Sequence, residues 1–437
     1  MTKSNEVLAK VAHDELSDRT PTEVIASTWV FPTEDQAQWW QDTGPLLERF
    51  LQAASYNAPT QYQCLLFFIQ HLIPALGPYP QRWRSTISRS GLPIEFSLNF
   101  QKNSKQLVRI GFEPVGILSG TASDPFNSIP IADMITRLRQ LPLLKGFDPL
   151  DFNALNTSCQ LSQAETDALQ APGYESIPLK SQAAFGFDLL RDGNIVVKGY
   201  IFPHLKARAT GVKMATLISE TVHRFDTEAQ FLKSFLLVHD YMKESSGYNE
   251  YTFLSCDCLD RSKQRLKLYG AHTEVVWAKI AEMWTLGGRL SDEPEIQRGL
   301  EILQQFWNML KLHEGNRPFA GGFDDGSRLE GDDQIASPII WNYELHPGHS
   351  WPVPKFYFPV HAENDQLVAS ALAGFFGYLG WEVEARSYAD TFRALYSEHD
   401  VAETSRLQSW ISFSYTQKKG PYLSVYYHSQ RSYPWEN

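Results

Sequence analysis

Ten short runs rich in apolar and aromatic residues come in five pairs in the sequence, and six of these runs alternate apolar with polar or tyrosine residues. The two runs of a pair are four to eight residues apart, and some of the connections are strong turn signals, such as RDGN at residues 191–194. Strict alternation predicts β-strands, and short connections between neighbouring strands predict antiparallel hairpins. The predicted strands cover residues 93–100, 106–114, 183–190, 195–203, 251–259, 264–270, 337–345, 354–360, 410–416 and 421–428.

Segments with the apolar spacing of helices separate these pairs, for example at residues 35–54 and 294–310. The alternation of helices with antiparallel strand pairs indicates a repeated unit and an α+β fold. Ten antiparallel strands can close into a barrel, and closure removes every exposed sheet edge. We therefore predict a ten-stranded antiparallel β-barrel surrounded by α-helices. Its strands would turn their apolar face outward to the helices and their polar face into the lumen.

Composition and charge restrict the class of protein and its partners. With 43% hydrophobic and 20% charged residues, the chain is typical of a globular protein with a substantial core. Its formal net charge of -11 argues against nucleic acid as a partner. The most apolar stretch, residues 64–77, is interrupted by Gln70, His71 and Pro74, and it is too short to span a membrane. Four cysteines without the spacing of zinc ligands indicate a reducing, cytoplasmic setting.

No low-complexity linker divides the chain. Residues 1–22 are polar and are expected to be loosely ordered, and residues 23–437 are expected to form a single domain. Residues 312–336 are rich in Gly and Asp, which predicts a long loop. Its acidic pairs, in FDDGS and GDDQI, do not continue into the DDxxD pattern of magnesium-dependent prenyl-diphosphate enzymes. Walker, G-x-S-x-G and H-E-x-x-H motifs are also absent from the sequence.

Six of the predicted strands carry polar or tyrosine side chains at every second position. One such strand would usually be a solvated sheet face, but six strands in the same phase favour a shared barrel interior. The predicted interior residues include five cations and five tyrosines: Arg109, Lys198, Arg265, Lys267, Lys355, Tyr200, Tyr269, Tyr357, Tyr422 and Tyr426.

Five cations that converge in one lumen repel each other unless a polyanion lies between them. A pyrophosphate group has a suitable size, and each charge-assisted hydrogen bond to it contributes roughly 1.5–3 kcal/mol. Tyrosine rings beside a departing pyrophosphate suit a carbocation, because each cation–π contact contributes roughly 0.5–2 kcal/mol. The pattern therefore predicts a site that binds an organic diphosphate and stabilises the carbocation formed from it.

Glu95 is the one acid that we place in phase with these residues. Spacing alone leaves two roles open. The carboxylate could accept a hydrogen bond from the N–H of an acceptor substrate and later take a proton. Alternatively, it could be the counter-ion of Arg109 on the neighbouring strand, which is a common cross-strand pair.

The sequence resembles a known family, the fungal indole prenyltransferases of the dimethylallyltryptophan synthase family. The resemblance runs from about residue 25 to the C-terminus. The motifs that carry it are ALGPYPQ (75–81), GLPIEFSLNF (91–100), RIGFEPV (109–115), DPFN (124–127), KGYIFPHLKARATG (198–211), SKQRLKLYG (262–270), WTLGGRL (284–290), PKFYFPV (354–360), AENDQ (362–366) and SYTQKKGPYLSVYYH (414–428).

The resemblance implies a barrel of five αββα repeats. It also implies transfer of a dimethylallyl group to an aromatic ring from the co-substrate dimethylallyl diphosphate, without a metal or other cofactor. The five cations would bind the diphosphate, the five tyrosines would shield the allyl cation, and Glu95 would bind the indole N–H. Many relatives have Gln at the position of Lys355. A monomer and a homodimer are both compatible with the sequence.

Two positions bear on the acceptor. Members that prenylate tryptophan at C4 carry a Lys where this chain has Ala184 and a Thr where it has Gly111. In both respects the chain is similar to enzymes that act on tryptophan-containing cyclic dipeptides. Residues 83–102 and 247–257 look most like the reverse C2-prenyltransferases of brevianamide F, cyclo-L-Trp-L-Pro. We therefore expect reverse prenylation of that dipeptide at C2 in indole alkaloid biosynthesis. The alternatives are prenylation of free tryptophan or tyrosine, and a non-catalytic barrel that binds isoprenoid diphosphates.

Overall fold

Ten strands close into an antiparallel barrel in the computed structural model, which describes residues 19–171, 179–261, 264–317 and 337–431. Two further strands, β7 and β8, pair only with each other. In chain order the strands are β1 (Ile94–Gln101), β2 (Val108–Phe112), β3 (Ala183–Leu189), β4 (Ile195–Ile201), β5 (Asn249–Asp257), β6 (Leu266–His272), β7 (Glu274–Val275), β8 (Gly315–Asn316), β9 (Ile339–Leu345), β10 (Val353–Pro359), β11 (Gln408–Thr416) and β12 (Gly420–Tyr427).

The order around the barrel is β1, β12, β11, β10, β9, β6, β5, β4, β3 and β2, and β2 pairs with β1 to close the ring. Every neighbouring pair is antiparallel, so β2, β4, β6, β10 and β12 all run in the same direction. The predicted fold is confirmed, and all ten predicted strands are present with ends shifted by a few residues. Arg265 lies one residue before β6 rather than within it.

Helices surround the barrel. Residues expected to be helical at 35–54 and 294–310 form the helices Glu34–Ala53 and Pro294–Leu310. The first described helix starts at Pro21, just inside the segment expected to be loosely ordered, where the side chains of Thr20 and Glu23 form a capping box. The other α-helices of the described residues are Ala58–Phe67, Ser128–Leu138, Leu150–Cys159, Gln163–Leu169, His204–Thr210, Met214–Phe225, Leu232–Glu244, Trp277–Trp284, Asp365–Tyr378 and Glu382–Leu395.

The main apolar core lies between the strands and these helices. On β1, the outward side chains Phe96 and Leu98 are buried, and the Phe96 ring centroid is 5.6 Å from that of Phe50 in the helix Glu34–Ala53. The alternate residues of the same strand face the lumen and are buried as well. β6 is buried along its whole length. Its strand face with Lys267 and Tyr269 is therefore an interior surface and not a solvated one.

Some predictions fall on residues outside the described ranges. Residues 1–18 and 318–336 are among these, so most of the predicted loop, with both acidic pairs, is not described. All four cysteines are buried free thiols. In the ranges that the structure describes, no helix is both long enough and apolar enough to cross a membrane.

Candidate active site

The barrel encloses a cavity of about 330 Å³. Three predicted residues do not line it: Arg265, whose side chain is 33% exposed, Tyr422, and Ala184, which is buried opposite Tyr200 of the next strand. The predicted residues that do line it are Glu95, Arg109, Gly111, Lys198, Tyr200, Lys267, Tyr269, Lys355, Tyr357 and Tyr426.

Three barrel strands present the same Lys-x-Tyr pattern to the lumen. Each tyrosine lies about 7 Å further along its strand than its lysine, and since these strands run in the same direction, all three tyrosines are displaced toward the same end of the barrel. A layer of cations therefore adjoins a layer of aromatic rings. The three pairs are Lys198 and Tyr200 on β4, Lys267 and Tyr269 on β6, and Lys355 and Tyr357 on β10.

Three carboxylates lie among the cations, so the prediction that Glu95 is the only acid in phase is wrong. Asp188 has its Oδ2 2.6 Å from Lys198 Nζ and its Oδ1 3.1 Å from Arg109 Nε. Arg109 and Asp188 are direct cross-strand partners. Buried cations need such counter-ions, because an uncompensated charge in a barrel interior is costly.

The other two acids hold Arg265 and Lys267. Arg265 Nε is 2.7 Å from Asp257 Oδ2, and its Nη1 is 3.0 Å from Glu344 Oε2. Lys267 Nζ is 3.7 Å from Asp257 Oδ1, and Lys267 is the cross-strand partner of Glu344. Counting every second residue on β3, β5 and β9 would have found all three acids.

The charges of this cluster are set by burial and by these pairs. Burial alone would raise the pKa of Asp188, but Arg109 and then Lys198 lower it to about 2. Burial likewise opposes the ionisation of Glu344, yet Lys267 and Arg265 lower its pKa to about 2. Burial lowers the pKa of Lys198 to about 8. The acids are therefore ionised at neutral pH.

The aromatic layer forms a second apolar cluster, separate from the main core. The rings of Phe253 and Tyr269 stack with centroids 4.1 Å apart, and the centroids of Tyr269 and Tyr357 are 6.1 Å apart. Tyr357 and Tyr426 continue the layer at 5.8 Å. Tyr422 lies outside the layer, where Lys355 Nζ is 4.9 Å from its ring centroid.

Sequence reasoning missed Phe253 and Trp410, two further members of this cluster. Trp410 is in phase with Ser412 and Ser414, which pair with Tyr357 and Lys355, so the signal was present on β11. The signal for Phe253 was present as well, because Phe253 is in phase with Ser255 and Asp257, which pair with Lys267 and Lys198. A register irregularity between Tyr251 and Phe253 ends this phase on the N-terminal side of Phe253.

Glu95 lies beyond the tyrosine layer, on the side away from the lysines. Its neighbour on the same face, Ser97, is the cross-strand partner of both Arg109 and Tyr426. Glu95 Oε1 accepts a hydrogen bond from Ser409 Oγ at 3.0 Å, where β11 is irregular. Glu95 forms no ion pair with any described residue, and Arg109 contacts Asp188 instead. The counter-ion alternative is therefore wrong.

Burial raises the pKa of Glu95 to about 8, against the opposing hydrogen bond from Ser409. Gly111 and the loop that carries Ile87 complete the surroundings of Glu95. Gly111 is its cross-strand partner, and a Cβ atom at Gly111 would lie 3.3 Å from Ile87 Cγ1 and 3.7 Å from Glu95 Cβ. A larger residue at position 111 would therefore crowd the cavity wall beside Glu95. The loop that carries Ile87 also lines the cavity, and nothing in its sequence pattern indicated this.

The described residues contain no cluster of potential metal ligands. Within the described ranges, no group of three or more His, Cys, Asp or Glu side chains is placed to hold a metal ion. Asp188, Asp257 and Glu344 instead form ion pairs with Arg and Lys side chains.

Comparison with known proteins assigns this arrangement to a family. The model of the tryptophan dimethylallyltransferase family matches residues 35–391. The chain is 60% identical over 423 residues to deoxybrevianamide E synthase notF of Aspergillus sp. (strain MF297-2), covering 96% of this chain and 93% of that protein. It is 49% identical to the reverse prenyltransferase criA of Aspergillus cristatus, covering 97% of each chain.

The fold agrees with a solved structure of the first relative. The crystal structure of NotF in complex with brevianamide F and DMSPP superposes with a TM-score of 0.86 at 58% identity, covering 95% of this chain and 100% of that chain. The barrel and more than half of the aligned residues are thus shared with a known prenyltransferase. The chain is a prenyltransferase and belongs to the tryptophan dimethylallyltransferase family of fungal indole prenyltransferases.

Proposed function

We propose that this enzyme transfers the dimethylallyl group of dimethylallyl diphosphate to brevianamide F, cyclo-L-Trp-L-Pro, in reverse orientation at C2 of the indole. The observation that carries the proposal is the order of layers along the lumen: cations, then aromatic rings, then Glu95. The names of the relatives support the acceptor and the reverse orientation, since one is a deoxybrevianamide E synthase and another a reverse prenyltransferase.

The cation layer would hold the diphosphate. Arg109, Lys198, Lys267 and Lys355 line the cavity, and Arg265 forms an ion pair with Glu344, which also lines it. When the bond between C1 and the diphosphate oxygen breaks, the electron pair leaves with the oxygen. The cations then stabilise the negative charge that develops on the diphosphate, which lowers the barrier to ionisation.

The aromatic layer would hold the allyl cation. The cavity is lined next to the lysine layer by four tyrosines, Tyr200, Tyr269, Tyr357 and Tyr426. The faces of their rings attract a cation. Burial keeps the pKa of Tyr200 well above its ordinary value, so the ring stays a neutral phenol. A shielded cation is also protected from water, which would otherwise capture it. Tyr422 would act behind this layer, next to Lys355 and Arg109.

Glu95 would bind the acceptor. Its carboxylate would accept the indole N–H, C2 of the indole would bond to the tertiary carbon of the allyl cation, and Glu95 would assist loss of the ring proton that restores aromaticity. Gly111 has no side chain to occupy the cavity beside Glu95, and the additional space suits a substrate bulkier than free tryptophan.

Parallel incubations test the proposal. The purified enzyme is incubated with dimethylallyl diphosphate and a chelator, and separately with brevianamide F, tryptophan or tyrosine. We expect a product with one added prenyl group from brevianamide F, and NMR signals of a terminal vinyl group attached through a quaternary carbon at C2. Prenylation of tryptophan or tyrosine alone would contradict the acceptor. A trisubstituted alkene would contradict the reverse orientation. No product from any acceptor with folded enzyme would contradict the proposal as a whole.

A further inference from the structure

Lys355 is the one cation of the cluster without a carboxylate partner among the described residues. Arg109 and Lys198 share Asp188, and Arg265 and Lys267 share Asp257. Among the described residues, no carboxylate oxygen lies within 4.0 Å of Lys355 Nζ. The side chain is nevertheless buried, with 7% of the residue exposed.

The groups that face Lys355 do not replace a counter-ion. Its cross-strand partners are the neutral residues Asn342 on β9 and Ser414 on β11. Two neutral rings lie beside it, with the centroids of Tyr422 and Tyr357 at 4.9 Å and 5.6 Å from Nζ. The charged groups that act on it from the surrounding strands are Glu344, which favours the ammonium form, and three cations, which oppose it: Arg109, Lys198 and Lys267.

An isolated ammonium in such a site loses its hydration without compensation, and buried groups of this kind give up the proton instead. Burial, followed by repulsion from Arg109, lowers the pKa of Lys355 well below its ordinary value. Lys267 is equally buried but contacts Asp257, and its pKa is raised. The pKa values of the two lysines therefore differ because of their ionic partners and not because of their burial.

We propose that Lys355 is an uncharged amine in the donor-free enzyme and takes up a proton from solution when the diphosphate of the prenyl donor binds. The diphosphate supplies the anionic partner that the protein lacks at this position. The proton joins the amine nitrogen, no covalent bond of the donor changes, and the ammonium then donates to a phosphate oxygen. Donor binding and proton binding are thereby linked, so the affinity for the donor falls as the pH rises. This inference rests on the proposed function, because it requires a diphosphate in the cation layer.

Calorimetry measures the proton directly. The non-reactive donor analogue dimethylallyl thiolodiphosphate is titrated into the enzyme at pH 7 in buffers of different ionisation enthalpy, and the slope gives the protons exchanged. At this pH Lys198 is already largely protonated. The analogue can itself exchange protons, so the informative quantity is the difference between wild type and variants. We expect wild type to take up about one proton more than Lys355→Arg, whose guanidinium is charged in both states.

Two further variants define the outcome. Lys355→Gln also removes the titrating amine and should lose the same proton, which keeps the test valid if the Arg variant does not fold. Lys267→Arg is the matched control, and its proton uptake should equal that of wild type. Over the neutral range, the dissociation constant should rise by up to about tenfold per pH unit more steeply in wild type than in Lys355→Arg.

The failures of the two proposals are distinguishable. Equal proton uptake by wild type, Lys355→Arg and Lys355→Gln, with the analogue bound, would overturn the role of Lys355 and leave the proposed function intact. Loss of uptake in Lys267→Arg as well would also overturn it, since the effect would then not be specific to Lys355. Absence of analogue binding to wild type would instead overturn the proposed function.

Discussion

Glu95 is a buried carboxyl group whose proposed role requires its charged form. Its side-chain hydrogen bond is from Ser409, and burial raises its pKa to about 8. In the free enzyme at neutral pH, Glu95 is therefore protonated in most molecules. An indole N–H that binds to Glu95 favours the carboxylate, so acceptor binding and ionisation of Glu95 support each other.

Replacement of Glu95 by Gln should reduce turnover at least about 100-fold, the lower range for loss of a general base. The amide retains the shape but cannot take a proton. Donor binding should remain near that of wild type, because Glu95 lies beyond the tyrosine layer from the cations. Steady-state kinetics with brevianamide F, together with titration of the thiolodiphosphate analogue, checks both parts. Near-normal turnover in Glu95→Gln would refute the role of Glu95.

The same substitution should increase stability in a pH-dependent way. The pKa of Glu95 rises from 4.5 to about 8 on folding, so the folded state keeps a proton that the unfolded state has already lost between those pH values. Stability that is fully present below pH 4.5 is then lost as the pH rises to 8, by as much as about 5 kcal/mol. Glu95→Gln does not titrate and should escape this loss. Denaturant unfolding of both proteins from pH 5 to 9 would contradict the prediction if the two curves stayed parallel.

At the scale of the elements, the strands are double-sided, and both sides are packed. The outer side must let helices and large rings lie close to the backbone. Gly270 on β6 shows this most clearly, because a Cβ atom there would lie 1.9 Å from Trp341 Cζ2. The indole of Trp341 is fully buried and donates a hydrogen bond to Asn249 Oδ1 at 2.7 Å. The ring cannot move aside without breaking that bond.

Gly270→Ala should therefore destabilise the fold by about 1–3 kcal/mol or more, the usual cost of overpacking. Gly374→Ala is the control, since Gly374 lies in the helix Asp365–Tyr378 and a Cβ atom there would have no neighbour within 4 Å among the described residues. Alanine at this position should raise stability by about 0.5–1 kcal/mol, because it favours the helix more than Gly does. The two unfolding midpoints should move in opposite directions. A neutral Gly270→Ala would show that Trp341 can repack.

The elements were also the level at which sequence reasoning worked best. Alternation in QRLKLYG assigned Lys267 and Tyr269 to one face and Leu266 and Leu268 to the other, and β6 has that arrangement. It failed where a local irregularity changes the phase, as at Ser409 on β11. Such irregularities leave no trace in the alternation itself, since they depend on how the neighbouring strand pairs.

On the scale of the whole molecule, the barrel interior contains more basic side chains than carboxylates. The interior has three carboxylates and five basic residues, and the ion pairs connect segments that are distant in sequence, such as Arg265, just before β6, and Glu344 on β9. These pairs stabilise closure of the barrel, but they also occupy the cations that would bind a diphosphate. Ligand binding and barrel stability should therefore be coupled.

Asp188→Asn makes that coupling measurable. It removes the shared partner of Arg109 and Lys198 and leaves buried charge unpaired, which typically costs about 3–5 kcal/mol. Inorganic pyrophosphate should restore part of this loss, because it binds only the folded state. We expect a larger thermal shift on adding pyrophosphate to Asp188→Asn than to wild type.

The exposed pair of Lys145 and Asp192 provides the control. Asp192→Asn should change neither the stability nor the pyrophosphate shift appreciably, since solvent and salt already screen that pair. Equal shifts in all three proteins would mean that Asp188 is not coupled to the proposed diphosphate site.

Sequence alone determined the element types, the closed barrel and most of the lumen residues. The reason is that a strand's period of two assigns each side chain to a face, and a chain with ten such strands has few ways to bury both faces. The phase of QRLKLYG, repeated on other strands, was sufficient to place cations and tyrosines together.

Only the tertiary structure decided which charges are paired. Asp188, Asp257 and Glu344 form ion pairs with four of the five cations, while Lys355 and Glu95 remain without ionic partners among the described residues. Pairing depends on the stagger of neighbouring strands and on distances of a few ångströms across the lumen, and electrostatic energies in a buried site change steeply over such distances. Alternation along one strand contains no information about that stagger.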